Sequence, residues 1–155
     1  MRLTLCSKRE REEILREIER RFGISPQAFQ GRILVIRGKK EVWVASDKSA
    51  EIGLEGCLRT GIPLLRWTKR GFRLTSAAVR AFGSLATKGV VEIPQEEREE
   101  AERFSRGEDI HLGRGEGLFG QVIVRWRGLP LGPGLVQGDR IKNQVPVRMR
   151  VRGRR

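Results

Sequence analysis

The chain has 155 residues and a formal net charge of +13, with far more Arg than Lys. That length suits one domain or two small ones, and an apolar fraction of 38% is enough for a core. So large a positive excess points to a polyanionic partner (RNA, DNA or anionic lipid), unless it only reflects Arg-rich codon usage.

No apolar run reaches the ~20 residues of a membrane helix. Met1 to Ser7 is too short for a signal peptide and runs into dense charge. The expected location is therefore the cytoplasm, with no membrane partner. Cys6 and Cys57 form no CxxC pair and His111 is the single histidine, so no zinc site is expected. Two buried thiols are favoured over a Cys6–Cys57 disulfide in that compartment.

Ser7 and Glu10 have capping-box spacing, and Ile14, Leu15, Ile18 and Phe22 line one face of the helix that follows. Gly23 and Pro26 stop it. Ile33 to Arg37 and Glu41 to Ser46 read as a β-hairpin about Gly38. Leu58 to Trp67 reads as a further strand broken by Gly61 and Pro63, and Phe72 to Leu74 as another after Gly71. Thr75 or Ser76 then caps a short helix through Phe82, closed by Gly83.

A second unit begins near Lys88. Val90 to Ile93 is a strand, and Pro94 opens a helix to about Ser105 with Ala101 and Phe104 inside. In Gln121 to Arg127, Val122, Val124 and Trp126 face opposite Gln121, Arg125 and Arg127, with Ile123 the exception. Turns at Arg127-Gly128 and Gly138-Asp139 flank a strand over Leu129 to Gln137. Val147, Met149 and Val151 alternate with Arg148, Arg150 and Arg152, which reads as a last strand with one arginine face. The tail from Gly153 to Arg155 is expected to fray. The chain is thus α+β, with a domain over 1–87 and a small, mostly β domain over 88–155.

No motif points to catalysis. Gly115 to Gly120 fits GxGxxG, but a strand follows where a dinucleotide site needs a helix, so it reads as a glycine loop. Walker A and GxSxG motifs are absent, and Glu96 to Glu102 is the outer face of a helix. His111, just after Glu108 and Asp109, reads as a loop histidine. The three Trp fall in strands, so most are expected in the core and not as base-stacking platforms. The row of arginines at 148, 150 and 152 repels itself unless an anion or solvent screens it. Contact with RNA is favoured there over a charge-guarded edge strand, since Arg140 and Lys142 lie just upstream.

Val90-Val-Glu-Ile-Pro with the helix ending at Phe104-Ser-Arg-Gly-Glu-Asp-Ile110 resembles the opening of PUA domains. Gln121 to Val136 resembles their central hairpin, and Arg140-Ile-Lys-Asn143 with Pro146 the end of the PUA-like domain of RNA 5-methylcytosine methyltransferases. Gly56 to Gly61 and Lys69 to Ala78 resemble the pre-PUA domain that small ribosome-assembly factors place before PUA. The resemblance implies a pre-PUA-like α+β domain followed by a PUA-like pseudo-barrel that binds structured RNA, either rRNA or tRNA. It implies a role in ribosome biogenesis or RNA modification, with an RNA methyltransferase or pre-ribosomal proteins as possible partners. It does not imply methyl transfer, because Cys6 follows Leu5 and Cys57 follows Gly56, not the Pro-Cys of those enzymes.

The expectation is a non-catalytic RNA-binding protein without cofactor or metal. The alternatives are a recognition subunit working in trans with a methyltransferase, and a protein–protein scaffold. The RNA-binding residues expected are Arg125, Arg127, Arg140, Lys142, Asn143, Arg148 and Arg150.

Overall fold

A computed structural model describes residues 2–111 and 117–152. Part of the glycine motif, Gly115 and Glu116, and the end from Gly153 to Arg155 lie outside the described residues. The chain divides into two compact units, Met1–Ala78 and Val79–Arg155.

The first unit is built on an antiparallel sheet of β1 (Leu3–Leu5), β2 (Arg32–Arg37), β3 (Glu41–Ser46), β4 (Ile62–Thr68) and β5 (Gly71–Leu74), ordered as in the chain. Helix α1 (Lys8–Phe22) starts at the expected capping box. The Ser7 hydroxyl accepts from Glu10 N at 3.1 Å, and the Glu10 carboxylate accepts from Ser7 N at 3.0 Å. Gly23 ends α1 in the left-handed region. Its buried stripe of Ile14, Leu15, Ile18 and Phe22 is the one its spacing predicts. Phe22 meets Phe72 of β5 edge-on at 6.3 Å. On the opposite face, Val35 and Ala45 pack with Cys57 of helix α2 (Gly53–Thr60).

The segment Leu58 to Thr60 is therefore helix, not strand. Its β-like composition is overridden by the burial of Cys57 and by a bond of 2.7 Å between the Ser49 and Thr60 hydroxyls. Cys6 is half-buried and Cys57 buried, both as free thiols. The three Trp depart from the expected core placement: Trp43 and Trp126 are half-buried and Trp67 is 38% exposed.

Helix α3 (Ser76–Phe82) is capped by the Thr75 hydroxyl, which accepts from Ala78 N, and the boundary between the units falls within it. The sequence placed that boundary near Thr87. Residues 79–87 associate with the second unit because Gly83 comes against Ile123 and Pro130.

The second unit contains β6 (Val90–Ile93), helix α4 (Arg98–Ser105), β7 (Ile110–His111), β8 (Gln121–Trp126), β9 (Leu129–Gln137) and β10 (Arg140–Asn143). The sheet runs β6-β8-β9-β10-β7 and curls into a half-barrel. Among the described residues of this sheet only β6 and β8 are parallel. Val91, Ile93, Val122, Val124, Ile141 and Val145 close over Ala101 and Phe104 of α4.

Two expected elements differ. Helix α4 begins at Arg98, because the chain after Pro94 first makes a turn closed by Glu97 N donating to Pro94 O. Residues 147–151 are not a strand: Val147–Met149 is a 3₁₀ turn, with Val147 77% and Val151 59% exposed. The alternation there is real, but the chain leaves the sheet at Asn143, and Pro146 brings no N–H to a ladder.

Candidate nucleic-acid interface

The residues expected to touch RNA fall into two groups. Arg125 is committed inside its unit. Its Nε donates to Glu92 Oε1 at 2.6 Å, and its Nη1 reaches the carbonyls of Gly83, Ser84 and Ala86 at 2.9–3.3 Å. A register shift between Val124 and Arg125 accompanies this placement. Asn143 is buried, its amide donating to the Phe104 and Glu108 carbonyls while its oxygen accepts from Val145 N. Arg150 donates to Val145 O and lies over Gly107. These three hold the fold together. Both amide N–H groups of Asn143 are used in this way, whereas Arg150 makes its bond through Nε alone and is half-buried.

Arg127, Arg140, Lys142 and Arg148 are exposed. Arg140 and Lys142 alternate with buried Ile141 and Asn143 on β10, so both point away from the core. Arg140 also lies 3.5 Å from Asp109, whose other oxygen accepts from Asn143 N. Arg127 occupies the tip of the β8–β9 hairpin, and Arg140 pairs with Gln137 at the far end of β9. That length of strand separates them by roughly 25 Å. Arg127 thus lies apart from Arg140 and Lys142, while Arg148 sits on the 3₁₀ turn Val147–Met149.

The Arg127 end carries a feature that strand patterns could not reveal. A groove of about 850 Å³ runs between α4, the hairpin and the C-terminal segment. Trp126, Leu129, Leu131 and Val151 give it apolar walls, and Arg98, Arg106 and Arg152 give it charge. Arg98 and Arg106 share Glu102, at 3.2 and 3.5 Å, whereas Arg152 is exposed. The half-buried Trp126 is fixed by its indole N–H, which donates to Gln95 O at 3.2 Å, and the Arg127 guanidinium lies 5.5 Å from its ring centroid. Arg127 is the one non-glycine residue with positive φ (53°) among the described residues. An indole held beside arginines can stack a base while the guanidinium groups take phosphates.

Among the described residues, no group of three or more His, Cys, Asp or Glu is arranged to hold a metal, and no helix is long and apolar enough to cross a membrane. Burial, aided by Glu10, pushes the Cys6 thiol up to about 11. His111 is exposed at the end of β7, paired across to Arg140.

A strand–helix opening, a central hairpin and a curled sheet closed over α4 define a PUA domain in the C-terminal unit. Residues 95–151 match the family described as the methyltransferase RsmF PUA domain. Over 142 residues the chain is 36% identical to ribosomal RNA small subunit methyltransferase F of Aeromonas hydrophila, covering 89% of this chain and 27% of that protein. With the Aeromonas salmonicida protein of the same name the identity is 37% over 143 residues, again 89% of this chain and 27% of the relative. The Shewanella putrefaciens counterpart is 30% identical over 114 residues, 73% of this chain and 24% of its own length. The chain therefore spans about a quarter of the length of these curated relatives, and its domain is related to the PUA domains of RNA 5-methylcytosine methyltransferases.

Proposed function

We propose that this chain is an RNA-recognition module serving methylation of small-subunit ribosomal RNA in the cytoplasm, with the methyl transfer performed by a domain outside this sequence. The observation that carries the reading is the Trp126 groove, a slot of mixed lining in which apolar walls stand beside Arg98, Arg106, Arg152 and Glu102, in the unit that matches the RsmF PUA domain. The relatives' names favour rRNA over tRNA, and modification over assembly.

Catalysis by this chain alone is not expected. A cysteine that attacks a base carbon must do so as a thiolate. Cys57 is buried, and a Cys6 pKa of about 11 leaves little thiolate at neutral pH. The arginines at the groove and on β10 supply instead what an RNA backbone needs, positive charge on an accessible surface.

The test is titration of the full chain against a labelled fragment of small-subunit rRNA at about 50 to 200 mM salt, a range over which several phosphate contacts give a steep loss of affinity. With roughly four contacts on single-stranded RNA the log–log slope is about −3. A flat salt response contradicts RNA recognition. Incubation with S-adenosylmethionine and the same RNA is expected to give no methylated product, and product that co-purifies with the chain contradicts the non-catalytic reading.

A further inference from the structure

The N-terminal unit carries a cationic surface on which the PUA reading does not depend. Glu41 at the start of β3 pairs with Arg66 near the end of β4, so the turns after β2 and β4 lie at the same end of the sheet. Trp67 N donates to Lys40 O at 2.8 Å and ties the two turns together. Lys39, Lys40, Arg66, Lys69 and Arg70 are all exposed there. Among the described residues none of the five lies within salt-bridge distance of a carboxylate, and Glu41 at this end is engaged by Arg37 at 3.4 Å. Arg66 stands between Glu41 of β3 and Arg73 of β5, so its charge has both an opposite and a like cross-strand neighbour.

The same end holds the exposed Trp67, which leans edge-on against the buried Phe72 at 6.0 Å. The ring is therefore held by Phe72 while 38% of the residue stays exposed. The β4–β5 turn is also ordered, since the Thr68 hydroxyl donates to Gly71 O at 2.7 Å and accepts from Arg70 N at 3.3 Å. The two turns thus bring exposed cations and an exposed indole to one end of the sheet. Single-stranded nucleic acid matches both, because every base has a face to stack and every nucleotide a phosphate.

We infer that this end of the first sheet is a second RNA contact, taking a single-stranded segment with a base on Trp67 and its phosphates on Lys39, Lys40, Lys69 and Arg70. The inference rests on RNA being the ligand of the chain, but on residues separate from the Trp126 groove.

The experiment measures binding of the full chain to a fluorescein-labelled oligouridylate of about a dozen nucleotides, a length in the range of single-strand binding sites. Lys69→Glu/Arg70→Glu is expected to weaken binding about tenfold or more and to flatten the salt slope by about 1.4, or ~0.7 for each lost phosphate. Trp67→Leu is expected to lose about tenfold while Trp67→Phe keeps most of the affinity, the signature of stacking. Wild-type affinity in the turn and Trp67→Leu variants, alongside a loss in Arg127→Glu/Arg152→Glu, overturns this inference and leaves the groove standing. The converse pattern supports it and removes the groove. Absence of RNA binding by the unaltered chain overturns both. Photocrosslinking of 4-thiouridine RNA to the unaltered chain is independent of any variant's stability. Adducts within residues 66–71 support the contact, and adducts confined to 95–152 contradict it.

Discussion

One guanidinium, that of Arg125, serves four acceptors, and its removal leaves the Gly83, Ser84 and Ala86 carbonyls without that donor. Arg125→Ala is expected to lower the unfolding free energy by about 2–4 kcal/mol, at ~1 kcal/mol per bond with a discount for the half-exposed Glu92. Arg127→Ala is expected to change it by less than about 0.5 kcal/mol. Urea unfolding decides: equal effects would mean that Arg125 is a surface residue like its neighbour. Alternation put the two arginines on one face and could not show that residues 83–86 cover part of it. Asn143 was hidden for the same reason, as the Phe104 and Glu108 carbonyls that its amide meets lie on another part of the chain. Cys6 carries a pH prediction. Its folded-state pKa of about 11 lies above the ordinary thiol value of 9.0, so folding favours the neutral form. The associated stability is full below about pH 9 and declines as pH rises toward 11. Native-state alkylation by iodoacetamide should accordingly keep accelerating up to about pH 11 and modify Cys6 before Cys57. A rate that levels off near pH 9, the ordinary thiol value, would contradict the burial argument.

Helix α1 and the first hairpin were legible because their signals are local. The capping box, the apolar stripe and Gly23 all lie within one stretch of chain. Ser7→Ala is expected to cost about 1 kcal/mol in thermal or urea unfolding, the usual worth of an N-cap. No change would mean that the cap is frayed in solution. By contrast, β1 and β7 span three and two residues, too few to show a period, and are specified by pairing with β2 and β10. The apparent strand at 147–151 failed in the opposite way, with a clean period but no neighbouring strand. The β8–β9 hairpin makes a sharper test. Arg127 and Gly128 have φ of 53° and 75°, the left-handed pair of a tight hairpin turn. Glycine adopts this freely and arginine does not. Arg127→Asn should therefore stabilise the chain by about 0.5–1 kcal/mol while weakening RNA binding. Loss of both stability and affinity would mean that Arg127 holds the hairpin together and does not serve a ligand.

At the scale of the whole chain, the +13 net charge indicated a polyanion but not where it binds. Lys8 and Arg9 lie on a helix that also carries Glu10, Glu12, Glu13, Glu17 and Glu19, and Arg9 pairs with Glu13. At the Trp126 groove, Arg127 and Arg152 are exposed beside an apolar wall. The half-barrel was legible through the resemblance of its hairpin, whereas the groove was not. Its walls come from α4, the β8–β9 hairpin and the last residues, which only the fold brings together. If recognition is local, equal changes of charge at these two places must have unequal effects. The decisive measurement is the affinity of Arg127→Glu/Arg152→Glu and of Lys8→Glu/Arg9→Glu for the same rRNA fragment at one salt concentration. The groove pair is expected to lose roughly tenfold to a hundredfold, since each lost phosphate contact also becomes a repulsion, and the helix pair only a few-fold. Equal losses would show binding by diffuse charge and contradict a recognition site at Trp126.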